Sequence, residues 1–278
     1  LTVIIDLPEA GLDQFSLEII PKSFYFKARY LKFSRELPQT RWHCKKCRGS
    51  GTDRSGNSCE NCNGTGKEYQ SSIEEMIEKV VIKHTEGDKG VLHGAGREDV
   101  DARCIGNGRP IVFEVKNPVK RYVNLEQIQK EINQKFGEFI HIKNIEECEK
   151  EAIAELKDRS THDRKKYLAL VNLLQSITKT AFKQKMEKVR ELLDGKIIKQ
   201  QTPNRVVHRR ADKVRKRKIF KIEGKFVDPV HLFFRIEAEA GAYIKELISS
   251  DEWRTKPSIA EIMDIPMVCV ELDVVYIL

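Results

Sequence analysis

Long apolar runs are missing from this 278-residue chain. A membrane helix needs about 18–20 consecutive apolar residues, and the best stretches here, such as Met267 to Val270, are broken by charge within a few positions. A membrane-spanning chain is therefore not expected, and a soluble, cytoplasmic one is. Also absent are a starting methionine and the basic-then-apolar pattern of a secretory leader, so we expect a fragment or trimmed chain with an upstream part missing. Acids are the minority sign: 42 Asp and Glu face 50 Lys and Arg, for a formal charge of +8. That average field favours polyanionic partners. With 40% hydrophobic residues there is material for a core, which excludes a disordered tail protein, and the length suits one large domain or two modest ones.

Aliphatic residues are scarce in one place only. Arg41 to Lys67 is rich in Gly, Cys, Ser and Asn and cannot form a core unaided, so it needs a metal or a host. Around it the pattern is that of a mixed α+β chain. Ser23 to Phe33 alternates as a strand. Ser71 and Ser72, followed three residues later by Glu74 and Glu75, give capping-box spacing, and Ile73, Met76, Ile77, Val80 and Val81 then predict a helix over roughly 72–84. A glycine-broken stretch from Gly87 to Gly108 precedes a strand at Pro110–Val115. Leu125, Ile128, Ile132 and Phe136 mark a second helix, and residues 143–166 are dominated by charge with a possible helical stripe. Tyr167–Leu174 suits a strand or a buried helix. Phe182 to Leu193 is a helix ended by Asp194-Gly195. Lys218–Glu223 and His231–Glu239 are strands suited to antiparallel pairing, two short helices follow, and Val268 to Tyr276 closes the chain as a strand. The opening segment, residues 1–20, has a β-type run at Thr2–Ile5 and a Pro and Gly turn region, and is expected to be the remnant of an upstream domain.

The cysteines carry the first chemical signal. Cys44-Lys-Lys-Cys47 and Cys59-Glu-Asn-Cys62 each continue as CxxCxGxG, and a two-residue gap lets both sulfurs of a turn face one ion. Four thiolates complete a tetrahedron and leave no open position, so the expected Zn2+ is structural rather than catalytic. Two disulfides are the competing reading, disfavoured because no secretory signal is present and Cys104, Cys148 and Cys269 are scattered. The repeats resemble those of DnaJ-type chaperones, which carry four. Here there are two and no J-domain signature, which points to a convergent zinc loop.

The second signal is positional charge. Between Arg205 and Lys218 stand Arg205, Arg209, Arg210, Lys213, Arg215, Lys216, Arg217 and Lys218 against Asp212 alone. Together with the loop GREDVDARCIGNGRP from Gly96, SRELPQT at Ser34–Thr40, TPNRVVHRRAD from Thr202, AGAYIKELI and RTKPSI, this run resembles, in order, the tRNA pseudouridine synthases of archaea and eukaryotes in the tenth Pus family, over roughly residues 23–278.

The resemblance implies a pseudouridine synthase fold over 21–278, with a mixed, mainly antiparallel central sheet, flanking helices, a basic cleft, and the zinc-binding insertion at 41–67. It implies isomerisation of uridine 54 and/or 55 in the TΨC loop of tRNA, with no cofactor for the chemistry, no nucleotide and no membrane. By the same resemblance Asp99 of Gly96-Arg97-Glu98-Asp99 is the nucleophile and Asp101, its nearby competitor, binds within the loop. Tyr167 stacks on the flipped uracil and helps to move the C5 proton, and Lys245 is the cation that keeps the aspartate ionised. Extruding the uridine costs a few kcal/mol, and Arg97, Arg205, His208, Arg209, Arg210, Arg215 and Arg217 are expected to offset it through RNA contacts, mostly to phosphate. The competing classes are a non-catalytic, zinc-containing RNA-binding module and a chaperone-like protein. The first would not require Asp99, Tyr167 and Lys245, and the second explains only the cysteines.

Overall fold

The computed structural model of the protein describes residues 2–6, 16–162 and 164–277. The Pro and Gly turn region expected after Ile5 lies outside them, as does the side chain of Arg209. The chain divides into two compact units, one made of Leu1–Tyr30, Glu36–Val100 and Pro110–Leu156, the other of Leu31–Arg35, Asp101–Arg109 and Lys157–Leu278.

In the first unit, β1 (Thr2–Asp6) and β2 (Ser16–Ile20) form a separate antiparallel pair. The remaining elements are β3 (Phe24–Lys32), α1 (Ile73–Thr85), β4 (Lys89–Gly94), β5 (Ala102–Lys116), α2 (Leu125–Phe136) and β6 (Ile140–Cys148). β3 and β5 both run across the unit boundary in sequence. Helix α1 starts where the capping spacing predicts. Ser72 Oγ accepts from the amide of Glu75 at 3.2 Å and its hydroxyl donates to Glu75 Oε2 at 2.9 Å, a cap that contributes about 1 kcal/mol. Its apolar stripe, Ile73, Ile77, Val80 and Val81, is fully buried.

The glycine-broken stretch departs from the sequence reading in two ways. Lys89–Gly94, inside the glycine-broken stretch, is a strand paired antiparallel with β5, and β5 itself begins eight residues before the expected Pro110. Gly90 is there for space and not as a breaker: a Cβ on it would lie 2.5 Å from Phe113 Cζ. Phe113 in turn stacks on Phe26, ring centroids 5.4 Å apart, in the unit's core.

The second unit contains β7 (Arg164–Leu173), α4 (Lys179–Leu193), β8 (Ile197–Gln201), a 3-10 turn at Asn204–Arg209, β9 (Val214–Asp228), β10 (His231–Glu239), α5 (Ile244–Ser249), β11 (Thr255–Lys256), α6 (Ile259–Met263) and β12 (Met267–Ile277). Helix α3 (Ala152–His162) leads into it. Here the strand order is β11-β8-β9-β10-β7-β12-β5. Pairing is antiparallel through β12, and β12 then runs parallel to β5, with Leu272 opposite Ala102 and Val274 opposite Cys104. Tyr167–Leu173 thus resolves as strand. The alternation of β10 buries Leu232, Phe234, Ile236 and Ala238, and α4 lays Phe182, Met186, Val189 and Leu193 on the sheet at β9. A Cβ on Gly224 would fall 2.7 Å from Met186 Sδ and 3.1 Å from Phe182 Cζ, so glycine there gives the helix side chains room on the strand. The fold class is α+β with a large, mainly antiparallel sheet, as expected.

Candidate active site and cysteine cluster

The residue that leads into β5 places a carboxylate beside a lysine. Asp101 sits just before Ala102, and its Oδ2 lies 2.5 Å from Lys245 Nζ. Lys245 is on α5, a helix of one and a half turns anchored by buried Ile244, Leu247 and Ile248. The start of that helix is fixed by Gln200 of β8. Fully buried, Gln200 donates to the carbonyl of Tyr243 and accepts from its amide, both at 2.9 Å. Burial pushes the Asp101 carboxyl up, but the hydrogen bond and charge of Lys245, helped by Arg205, outweigh it and hold the group below its usual range. Asp101 is therefore ionised at neutral pH while its side chain remains 63% exposed.

Lys245 was expected on Asp99; it is seen on Asp101, so Asp101 binds a helix 144 residues away instead of staying within its loop. Asp99, half-buried, belongs to the other unit's side of that loop. There the loop is pinned by Glu98, which accepts from Tyr30 Oη at 2.8 and 2.9 Å, and by Gln39, whose amide donates to Tyr30 Oη at 2.9 Å and to the carbonyl of Gly96 at 3.1 Å. Arg97 is exposed, with its guanidinium 5.4 Å from the centroid of Trp42.

A second cluster fixes the strand that Asp101 precedes. Asp273 on β12 accepts from Arg103 Nε at 2.9 Å and Nη2 at 2.7 Å, and from Arg35 Nη2 at 2.8 Å. Arg35 also donates to Glu271 Oε2 and to the carbonyls of Leu272 and Asp101. The backbone of Asp101 is thus held from one side by Arg35 and its side chain from the other by Lys245. Sequence reasoning gave Arg35 and Asp273 no role; the only available signal was the SRELPQT motif that contains Arg35.

Tyr167 lies on β7 with 7% exposure. Burial pushes its phenol up to about 12 against the opposing charge of Arg109, itself 2% exposed, so it is a neutral phenol near pH 7.

The expected RNA-binding residues divide into two groups. Arg205 donates to the buried Glu246 from Nε at 2.6 Å and Nη2 at 3.4 Å; Arg215 donates to Thr202 Oγ1 at 2.8 Å; Arg217 donates to the carbonyl of Lys216 at 2.9 Å and lies 3.6 Å from Glu239. Those three are bound within the unit. His208 and Arg210 are exposed, Arg210 donating to Tyr243 Oη at 3.1 Å, and Lys213, Lys216 and Lys218 are exposed on or beside β9. The run is held against the sheet as expected, but it is itself strand from Val214, paired with β8.

In the first unit the four thiols converge. The sulfurs of Cys44, Cys47, Cys59 and Cys62 all lie within 4.8 Å of one another, and Cys47 and Cys62 are 3.7 Å apart. A tetrahedron with metal–sulfur bonds of about 2.3 Å has edges of about 3.8 Å, so the donor set fits one ion. The amides of Gly51 and Gly66 donate to Cys47 and Cys62 at 3.3 and 3.2 Å, and Asn61 Nδ2 donates to Cys44 at 3.1 Å. Burial pushes Cys47 up, but the amides of Gly49 and Gly51 and the neighbouring thiols bring it down to about 6. Gly51 and Gly66 have positive φ, and a Cβ on either would lie 2.4 Å from a carbonyl of the opposite knuckle. At the neck His43 bridges Lys67, and Lys67 and Arg41 both reach Glu75 of α1. This cluster could hold a metal ion.

A family described as Pus10, C-terminal, matches residues 25–277. Among curated relatives, a protein of Methanocaldococcus jannaschii named tRNA pseudouridine synthase Pus10 is 42% identical over 269 residues, covering 95% of this chain and 55% of that protein. One of the same name from Methanopyrus kandleri is 38% identical, covering 95% and 58%, and one from Archaeoglobus fulgidus is 39% identical, covering 99% and 71%. The chain thus spans little more than half the length of the first two. Among solved structures, a chain of a Cbf5-Nop10-Gar1 complex aligns with 73% of this chain, and 44% of its own length, at 17% identity and a TM-score of 0.42.

Proposed function

The chain belongs to the Pus10 C-terminal family, and from that premise we propose that it is the catalytic portion of a tRNA pseudouridine synthase acting on uridine 54 and/or 55 of the TΨC loop. The observation that carries the reading is the Lys245–Asp101 ion pair, which ends the Gly96–Asp101 loop on a fixed cation two residues after Asp99.

The reaction breaks the N1–C1′ bond of uridine, turns the uracil and forms the C5–C1′ bond. C5 loses a proton and N1 gains one, so the atoms balance without an oxidant, reductant or nucleotide. Asp99 is the nucleophile, a carboxylate that assists by covalent attack once the uridine has been flipped out of the folded tRNA. Asp101 is a positioning residue, because tying its carboxylate to Lys245 and its carbonyl to Arg35 restricts the chain on which Asp99 is carried. Tyr167, neutral at pH 7 in the free chain, supports the flipped base by stacking or by donating its hydroxyl. His208, Arg209, Arg210, Lys213 and Lys216 supply the phosphate contacts, with Arg205 structuring the helix that bears Lys245. Zinc at Cys44, Cys47, Cys59 and Cys62 holds the 41–67 segment folded and takes no part in the chemistry.

Single-turnover conversion of an unmodified tRNA transcript, mapped by carbodiimide block and primer extension, tests the assignment. Asp99→Asn is expected to bind tRNA normally and form no pseudouridine. Asp101→Asn and Lys245→Met are expected to react about 10²-fold slower, the scale of a misplaced catalytic group, and Tyr167→Phe to retain stacking but lose rate. Full turnover by Asp99→Asn overturns the nucleophile, and the reverse ranking of the two aspartates moves it to Asp101. Binding without product from the wild type would leave an RNA-binding module.

A further inference from the structure

The turn after α5 is built from four consecutive residues in the left-handed region: Ser250 (φ 76°), Asp251 (φ 50°), Glu252 (φ 54°) and Trp253 (φ 70°). None is glycine, and each such residue costs roughly 1–2 kcal/mol. The turn persists because it is bonded at every step. The amide of Asn204 donates to Asp251 Oδ2 at 2.9 Å, Asn204 Nδ2 to Glu252 Oε2 at 3.2 Å, the amide of Trp253 to Ser250 Oγ at 3.2 Å, and the amide of Thr255 to the carbonyl of Ser250 at 3.0 Å. Arg254, next in sequence, is locked by Thr202 and Asp212 at 2.8 and 2.6 Å. What this conformation presents is an indole 62% exposed to solvent, with Lys256 Nζ 5.4 Å from its ring. Tryptophan is among the side chains whose exposure forfeits most apolar burial, so a strained, rigid turn that holds one outward is a feature directed at something outside the chain.

We propose that Trp253 is a stacking platform for an unpaired nucleobase of bound RNA, adjoining the ion-pair site through α5; the proposal rests on the RNA-modifying function given above. Two observations select a base over an apolar protein partner. The cation Lys256 borders the ring, and the neighbouring Asn204–Arg209 turn and β9 expose His208, Arg210, Lys213 and Lys216. An exposed aromatic face rimmed by cations is the arrangement that binds single-stranded nucleic acid, with stacking contributing about 1–3 kcal/mol per base. Trp253 is also pre-organised, so little ordering entropy is spent on binding.

The chain has two tryptophans, Trp42 and Trp253. Protein labelled with 5-fluorotryptophan therefore gives two fluorine resonances, assigned with Trp253→Phe, which can be followed during titration with hexauridylate, duplex RNA and polyphosphate. The expected result is a shift of the Trp253 resonance with hexauridylate and not with duplex or polyphosphate. Trp253→Ala should weaken hexauridylate binding by about 5–150-fold, the equivalent of one stacked base, with an unchanged melting temperature, while Trp253→Phe stays near wild type. A Trp253 resonance that stays still while RNA binds by fluorescence anisotropy overturns the platform and leaves the functional reading standing, and so does an equal shift with polyphosphate. Failure of every RNA, tRNA included, to bind refutes the functional reading and the platform with it.

Discussion

Asp273→Asn isolates the charge cluster that holds the head of β5. Asp273 is 8% exposed and accepts three hydrogen bonds from two guanidinium groups, at 2.7, 2.8 and 2.9 Å. Asparagine keeps the shape but offers one oxygen and one NH2 group, so one edge must turn a donor toward an arginine that also donates. At least one charge-assisted hydrogen bond disappears, Arg103 is left without its paired carboxylate, and Arg35 keeps only Glu271. Hydrogen bonds to charged groups contribute about 1.5–3 kcal/mol each, which sets the cost at about 3 kcal/mol. At about 2–4 °C per kcal/mol for a chain of this size, the melting temperature should fall by about 6–12 °C.

The pH dependence gives the same argument a second handle. Burial pushes the Asp273 carboxyl up, but the hydrogen bond of Arg103 and the charges of Arg35 and Arg103 prevail and hold it below its usual range. A carboxyl depressed in the folded state stabilises the protein above its unfolded pKa of about 3.9, and that stabilisation is lost as pH falls through the folded value. The gap between wild type and Asp273→Asn, measured by circular dichroism during denaturation, should therefore be flat above about pH 5 and narrow as pH falls below the unfolded value of about 3.9. A gap under about 1 kcal/mol at neutral pH, the level of an exposed ion pair, or one that persists unchanged in acid, would refute the account.

Purified protein should contain about one zinc per chain by elemental analysis, since four thiolates complete one tetrahedron, and chelation should expose residues 41–67 to protease before any other segment; metal-free protein with that segment protected would exclude the site. Neutralising Arg210 and Lys213 together should lower the slope of log affinity against log salt for tRNA by about 0.9 for each phosphate no longer neutralised. Replacing Arg205 should instead destabilise the fold, because it leaves Glu246 buried and unpaired, and a stable Arg205→Ala protein with a flattened salt slope would reverse that division of roles.

Periodic elements were legible in the sequence because their apolar faces and caps are local. Ile73–Thr85, Leu125–Phe136 and the alternation of His231–Glu239 appear where the pattern puts them. The stretch Lys89–Gly108 was not, since its glycines answer to Phe113 on a neighbouring strand and to other neighbours that no window along the chain contains. Within 143–166 the charged pattern masked most of a half-exposed strand, Ile140–Cys148, whose exposed positions are the polar or charged His141, Asn144, Glu146 and Glu147. At the site, motif context singled out Lys245, but which aspartate it meets is decided by the parallel register of β12 on β5 and by the Gln200 clamp on α5, both long-range. Counting arginines could not separate those that face outward from Arg205, Arg215 and Arg217, which satisfy partners inside the unit.

The neck of the cysteine segment has an architectural consequence. His43 and Lys67 sit opposite one another, and the amide of Glu68 donates to the carbonyl of Trp42 at 2.9 Å, so the chain leaves and re-enters the host at adjacent points. The knuckles between them close on a cluster of four cysteines of their own that could hold a metal ion. Such a segment is a cassette: its length can change at a loop-closure cost that grows only logarithmically, by about 0.6 kcal/mol per doubling, so lineages can acquire, trim or replace it while the surrounding strands and helices keep their places.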